Sequence, residues 1–118
     1  MVTVESNPPV TDLVDSLTLQ YYRSGKTFYD LAELQMAEEY FLKAKEIIAP
    51  VNNNPDIHQL KSENLFLHLK ILGFLIRISI EAMYKHLTDR YIQESERVLS
   101  AAGRLKLFQS AQKVILLC

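Results

Sequence analysis

Residues 57–85 carry the pattern that most restricts the fold, because it places apolar side chains on two separate sides of one helix. At about 100° per residue, the first apolar face consists of Leu65, Leu69, Leu72, Ile76, Ile80 and Met83. The second consists of Leu67, Ile71, Phe74, Leu75, Ile78 and Ala82, and narrow polar ribbons separate the two faces. A helix with two apolar sides needs neighbours on both, which is typical of a middle helix in a stacked helical array.

The flanking segments have the same helical spacing, and together they predict an all-α protein of four or five helices in antiparallel pairs. Apolar residues recur at intervals of three and four over residues 11–31 and again up to Pro50, which is expected to end the second helix. Residues 51–56, rich in Asn and Pro, predict a loop. Beyond residue 89 we expect a fourth helix that ends at Gly103, followed by a fifth.

The 118 residues are enough for one domain with a single core. Residues 1–10 are polar, contain two prolines and lack an apolar period, which predicts a flexible lead. Residues 11–50 form the first predicted helix pair, and residues 56–118 form a second pair with a C-terminal helix in the same domain. The apolar residues 114–117 need cover. They either pack back on the third helix or, in a piece of a longer array, associate with another copy of the chain.

The charge balance narrows the choice of partners. Thirteen basic residues against fourteen acidic ones give a net charge of -1, so nucleic acid is not expected as a direct ligand. The mildly basic stretch of residues 97–113 follows Glu94 and Glu96, and we interpret it as a solvated face. The most apolar stretch, residues 65–83, contains charged side chains, so no membrane span is expected. With one Cys and no signal-peptide pattern, we expect an intracellular protein.

Within the first predicted helix pair, large and small residues stand in a specific order: Tyr21, Ser24, Gly25, Phe28, Ala37, Phe41 and Ala44. This order and spacing resemble the helix–turn–helix pattern of tetratricopeptide (TPR) repeats. In that pattern Gly25 and Ala37 let two helix backbones approach, large rings fill the space beside them, and Ala44 makes room for the following helix. The sequence departs from the pattern at Ser24, where leucine is usual, and at Pro50, where proline comes one place late.

The second half of the chain resembles the pattern less closely, since Gly73 could begin another unit but Lys85 stands where a small residue is expected. A second resemblance lies within residues 20–48 and is carried by Arg23, Ser24, Gly25, Lys26, Asp30, Ala37, Glu39, Phe41 and Ala44. With this spacing the segment resembles the meiosis-specific TPR scaffolds that promote synapsis and crossover formation, a family of longer proteins. The resemblance implies a non-catalytic protein–protein interaction scaffold on chromosomes in the nucleus. The alternative is a generic TPR adaptor or regulatory peptide-binding module in the cytoplasm.

The TPR resemblance also implies a partner-binding groove on the first helix, lined by Leu19, Tyr22, Lys26, Tyr29 and Asp30. Two tyrosines beside a lysine suit a peptide with apolar anchors and an acidic group. The alternative is that Tyr22 and Tyr29 simply pack against the third helix. In the TPR clamps that bind chaperone tails, a Lys and an Asn stand at the positions of Tyr22 and Lys26, so that clamp is not expected here.

No group of residues predicts catalysis, a metal site or a cofactor. Residues 24–26 (Ser-Gly-Lys) lack the first glycine and the preceding strand of a phosphate-binding loop. His58, His68 and His86 have no helical ligand spacing, and no nucleophile–base arrangement is evident. We therefore expect a protein or peptide partner, no cofactor, no small-molecule substrate and no enzymatic activity.

Overall fold

The computed structural model describes the backbone of residues 10–117 and the side chains of residues 16–113. Within this range the chain forms four α-helices and no strand: α1 (Val10–Asp30), α2 (Leu34–Asn52), α3 (Ser62–Glu81) and α4 (Lys85–Leu117). The predicted all-α class is confirmed. Residues 1–9 of the predicted flexible lead lie outside the described residues. The side chains of residues 114–117 also lie outside the described part of the chain, so self-association through these residues stays a prediction.

The turn between α1 and α2 reverses the chain within three residues. The amide of Glu33 donates to the carbonyl of Phe28 at 2.9 Å, and the amide of Ala32 donates to that of Tyr29 at 3.0 Å. Ala32 has φ 61, in the left-handed region. These two hydrogen bonds form a Schellman motif, which satisfies the last carbonyls of α1 and sets α2 antiparallel to it.

The turn between α3 and α4 repeats this geometry. The amide of Tyr84 donates to the carbonyl of Ser79 at 2.9 Å, that of Met83 donates to Ile80 at 3.0 Å, and Met83 also has φ 61. Glycine is the usual residue at this position because it has no Cβ to strain the left-handed backbone. The two helix pairs therefore share one turn geometry, although neither turn contains a glycine.

α2 continues past Pro50 to Asn52, so the prediction that Pro50 ends the second helix is wrong and the loop begins later than expected. A proline inside a helix removes one amide donor and crowds the preceding turn, yet the helix continues, and the amide of Asn53 donates to the carbonyl of Ala49 at 3.0 Å. The buried side chain of Asn52 donates to the carbonyl of Asn64 on α3 at 3.0 Å. This contact between two helices holds the last turn of α2 in place.

α4 is a single helix of 33 residues, so the predictions of a fifth helix and of a helix end at Gly103 are wrong. Gly103 is exposed, and a Cβ built on it would meet no atom within 4 Å. A glycine inside a helix costs only about 1 kcal/mol relative to alanine. Ala101 and Leu105, both buried, hold the helix against its neighbours on either side of the glycine.

α3 (Ser62–Glu81) is shorter than the predicted span of residues 57–85. The carboxylate of Asp56 accepts the backbone amide of His58 at 3.0 Å, and this cap starts a short 3-10 turn in place of the first predicted α-helical turn. Leu60 follows in extended conformation with its side chain buried. The chain therefore anchors itself in the core before α3 begins.

α1 and α2 approach each other closely at Gly25. A Cβ built there would lie 2.7 Å from Cε1 of Phe41, whose side chain is fully buried. Ala37 and Ala44, which are on the same side of α2 as Phe41, are fully buried as well. Gly25 is therefore a point where a side chain of α2 leaves no room for a larger residue on α1.

Tyr21 and Phe28 lie on the other side of the first helix pair, around Tyr40. The ring of Phe28 stacks on that of Tyr40 with centroids 5.5 Å apart, and the ring of Tyr21 lies 6.1 Å from it. The ammonium group of Lys43 lies 5.1 Å from the centroid of Tyr40. These half-buried rings fill the space beside the interface between α1 and α2.

α3 packs against both α2 and α4, so it has the position of a middle helix. The buried apolar residues are Ala37, Phe41, Ala44 and Ile48 of α2, Leu65, Ile71, Leu72, Leu75 and Ile78 of α3, Tyr91, Val98, Ala101 and Leu105 of α4, and Leu60 before α3. On the first predicted apolar face, Ile80 and Met83 are exposed. The burial of that face is therefore incomplete near the turn to α4.

Candidate functional site

A chain of polar groups crosses the interior between α2, α3 and α4. We call it the polar cluster, and it consists of the side chains of Lys45, Asn52, His68 and Glu94 and the backbone carbonyl of Asn64. Glu94 accepts from Nε2 of His68 at 2.7 Å through Oε2 and from Nζ of Lys45 at 3.0 Å through Oε1. Nδ1 of His68 lies 3.0 Å from Nδ2 of Asn52. The imidazole of His68 is almost completely buried, so these hydrogen bonds form in a medium where they are strong.

The side-chain amide of Asn52 determines which nitrogen of His68 carries the proton. Its Nδ2 atom donates to the carbonyl of Asn64, and this carbonyl would repel the amide oxygen in the reverse orientation. The second hydrogen on Nδ2 therefore points to Nδ1 of His68, which accepts it. The proton of the neutral imidazole is then on Nε2, where it is donated to the carboxylate of Glu94.

The same contacts keep Glu94 ionised. The hydrogen bond from His68 is the largest influence, and with Lys45 it holds the pKa of Glu94 at about 2, below the ordinary value of 4.5, although burial alone would raise it. A carboxylate with so low a pKa is a poor proton acceptor at neutral pH, and both nitrogens of His68 are already engaged. The arrangement suits a structural role better than acid–base catalysis.

The predicted groove residues Tyr22 and Tyr29 meet around one ring of α3. The ring of Phe74 lies edge-on to that of Tyr29 with centroids 5.1 Å apart, and to that of Tyr22 with centroids 6.1 Å apart. It also stacks on the ring of buried Phe41 at 4.8 Å. Tyr22, Tyr29 and Phe74 are each half-buried, so the contact with the third helix is present and part of each ring still reaches the surface.

Two cations lie over this ring cluster. Nζ of Lys26 is 5.9 Å from the ring centroid of Tyr22, and the guanidinium of Arg77 is 5.2 Å from that of Phe74. Both cations belong to exposed residues. Burial raises the pKa of the Tyr22 hydroxyl above its ordinary value of 10.0, and the charge of Arg77 opposes that rise. We call the set Tyr22, Lys26, Tyr29, Phe74 and Arg77 the aromatic surface.

The remaining predicted groove residues flank the aromatic surface along α1. Leu19 is half-buried and precedes Tyr22 by three positions, and Asp30 is exposed and follows Tyr29 directly. Sequence reasoning missed the α3 contribution to the groove, because it assigned Phe74 to an apolar face of the third helix and gave Arg77 no binding role. Their separation of three positions, which puts both on one helix stripe, was the available signal.

The described residues contain neither a candidate metal site nor a candidate membrane-spanning helix. No group of three or more His, Cys, Asp or Glu side chains in that part of the chain is arranged to hold a metal ion. None of the helices between residues 10 and 117 combines the length and the apolar character needed to cross a membrane.

Comparison with known proteins finds no match: no family model, no curated protein and no solved structure is detectably similar to the chain. The geometry of the polar cluster and of the aromatic surface is therefore the basis for the proposals that follow.

Proposed function

We propose that this chain is a non-catalytic protein–protein interaction module of the TPR type, and that its aromatic surface binds a peptide segment carrying an apolar anchor and an acidic group. The observation that carries the proposal is the half-buried ring cluster of Tyr22, Tyr29 and Phe74 under the exposed cations of Lys26 and Arg77. Aromatic rings supply contact area at little conformational cost, and tyrosine and arginine are the residues most often responsible for affinity at protein interfaces.

Charge complementarity indicates the occupant. Lys26 and Arg77 place two positive charges at the rim of the rings, and Asp30 is one acidic side chain nearby. A carboxylate of the peptide would pair with one of these cations, while a Leu, Ile or Phe side chain would rest on the exposed edges of the rings. An apolar and acidic segment therefore fits the surface better than a basic one.

Three features support the TPR-type assignment and a non-catalytic role. The two helix pairs share one turn geometry at Ala32 and Met83, and α1 and α2 approach closely at Gly25. In the polar cluster, both ring nitrogens of His68 are engaged in hydrogen bonds, and Glu94 is held in its ionised form. A pair of helical hairpins without a poised acid or base is what a scaffold requires.

The biological setting rests on the resemblance of residues 20–48 to meiosis-specific TPR scaffolds, and we propose a role in assembling a chromosome synapsis or crossover complex. The alternative is a generic cytosolic adaptor that uses the same surface. Localisation of the tagged protein separates them. Chromosome-bound signal confined to meiotic cells is expected from the first, and diffuse cytoplasmic signal in all cells from the second.

Selection from a displayed library of random linear peptides tests the binding mode. The enriched sequences are expected to share an acidic residue next to an aromatic or aliphatic one. Binding of these peptides should be abolished by Tyr22→Ala combined with Lys26→Glu, and weakened about tenfold or more by Arg77→Glu alone. Arg77 is exposed, so we expect its substitution to leave the fold intact.

Lys43→Glu is the matched control, because Lys43 also lies over two tyrosine rings but belongs to α2 and to the other ring cluster. Circular dichroism checks that each variant keeps its helix content. The proposal would fail if no peptide were enriched, or if Lys43→Glu reduced binding as much as Arg77→Glu does.

A further inference from the structure

A cleft of about 520 Å³ opens beside the polar cluster, between the end of α2 and the middle of α4. Its floor contains Lys45, Asn52, His68 and Glu94. It shares no lining residue with the aromatic surface, and its volume falls within the range of small-molecule sites. The cleft is therefore a separate feature that the proposed peptide binding does not use.

Two arginines of α4, Arg97 and Arg104, stand along one side of the cleft. They are seven positions apart, which is two helical turns or about 10 Å along the axis, so they lie on the same side of the helix. Both are exposed, and neither contacts a carboxylate in the part of the chain that the structure describes. Their guanidinium groups therefore have unused donors beside the cleft.

The charges inside the cleft favour an anion. Lys45, Arg97 and Arg104 are positive, whereas Glu94 is the one acidic residue among the lining residues. The charge of Glu94 is offset by the ion pair with Lys45 and by the hydrogen bond from His68. The two arginines are then left without a counter-charge, and they set the electrostatic character of the opening.

The donors match a phosphate group. A guanidinium presents a planar fork of N–H donors that binds two oxygens of a phosphate at once, and a phosphate has enough terminal oxygens to meet two such forks. The opposite wall is formed by the segment that follows α2 and includes the polar residues Asn53 and Asn54, and Ser100 lies between the arginines along α4. These polar residues suit a ligand that carries hydroxyl groups in addition to its phosphate. The volume of the cleft is also larger than a phosphate ion alone would fill.

We propose that this cleft binds the phosphate group of a small hydroxylated molecule, with Arg97 and Arg104 as its anion ligands. The sequence alone placed both arginines in a diluted basic stretch. The structure separates them from Lys106, which lines a different, apolar groove between α3 and α4.

Titration calorimetry at constant ionic strength tests the proposal on the full chain, with ribose 5-phosphate, inorganic phosphate and ribose as probes. Saturable binding of ribose 5-phosphate is expected at millimolar concentration or below, with no binding of ribose. The variant Arg97→Gln/Arg104→Gln should weaken this binding about tenfold or more. Both arginines are exposed, and neither forms a hydrogen bond or an ion pair with another described residue, so this variant is expected to fold normally.

Lys106→Gln/Lys113→Gln is the matched control, because it removes two positive charges from the same helix outside the cleft. If inorganic phosphate binds as tightly as ribose 5-phosphate, the cleft recognises the phosphate group alone, and if it binds more weakly, the polar wall contributes. Absence of saturable binding by both phosphate probes would overturn the proposal, and so would an equal loss in the control variant. Neither result bears on the proposed binding of peptides, because the aromatic surface shares no residue with the cleft.

Discussion

His68 donates a hydrogen bond of 2.7 Å to the carboxylate of Glu94 and so joins α3 to α4 through a nearly buried polar contact. Lys45 of α2 bonds the second carboxylate oxygen at 3.0 Å. The side chain of Glu94 is therefore bonded to two other helices. We expect its loss to weaken the packing of α4 against both α2 and α3.

Replacing that carboxylate with an amide tests its structural weight. Glu94→Gln keeps the shape of the side chain but removes the charge and turns an amide donor toward His68 or Lys45. We expect the free energy of unfolding at pH 7 to fall by about 1–3 kcal/mol, measured by urea denaturation. Glu96→Gln, an exposed substitution on the same helix, should change it by less than about 0.5 kcal/mol. Equal effects of the two would contradict the structural role of Glu94.

Stability should also depend on pH through the same residue. The pKa of Glu94 is about 2 in the folded protein and 4.5 in the unfolded chain, so the unfolded state binds a proton first as pH falls. The stabilisation is fully present above about pH 4.5 and is lost as pH falls toward 2. Denaturant midpoints measured between these values should fall more steeply in the natural protein than in Glu94→Gln. Parallel curves would show that Glu94 is not held in its ionised form.

The glycines of α1 and α4 should respond to alanine in opposite directions. Gly25→Ala places a Cβ against the buried ring of Phe41, so we expect a loss of about 1–3 kcal/mol. Gly103→Ala adds a Cβ in open space and restricts the unfolded chain, so a gain of about 0.5–1 kcal/mol is expected. Thermal unfolding of both variants gives the two signs. A stable Gly25→Ala variant would contradict the close approach of α1 and α2.

A glycine in the turn between the last two helices should stabilise the protein. Met83 has φ 61 and an exposed side chain, so Met83→Gly relieves backbone strain and loses almost no packing. We expect the free energy of unfolding to rise by about 0.5–1 kcal/mol. Leu31→Gly, at a turn position with ordinary backbone angles, is the control and should not raise it. A destabilised Met83→Gly variant would contradict the left-handed turn.

The helices were largely predictable because apolar residues repeat at intervals of three and four, a pattern that burial of one face imposes. The residues at which the helices end were less predictable. Pro50 and Gly103 are strong local signals, but hydrogen bonding by Asn52 and burial of Leu105 outweigh them. Ala32 occupies the left-handed position at which sequence patterns expect glycine. The packing of α1 against α2 compensates for the backbone strain that alanine has there.

The two sites differ in how far they could be predicted. Tyr22 and Tyr29 lie on one helix stripe, so their neighbourhood followed from spacing. Lys45, His68 and Glu94 are on three different helices and far apart in sequence, and each alone resembles an ordinary surface or core residue. No periodicity links them, because the packing of the helices creates the cluster.

The stacking of Phe74 on Phe41 gives the exposed rings a rigid foundation, since Phe41 is itself wedged against Gly25. A ligand that binds on Phe74 therefore contacts rings that are already held in place, and these rings lose little conformational entropy on binding. The entropy cost of association therefore falls mainly on the ligand, and a pre-shaped peptide should bind more tightly than a flexible one of the same composition.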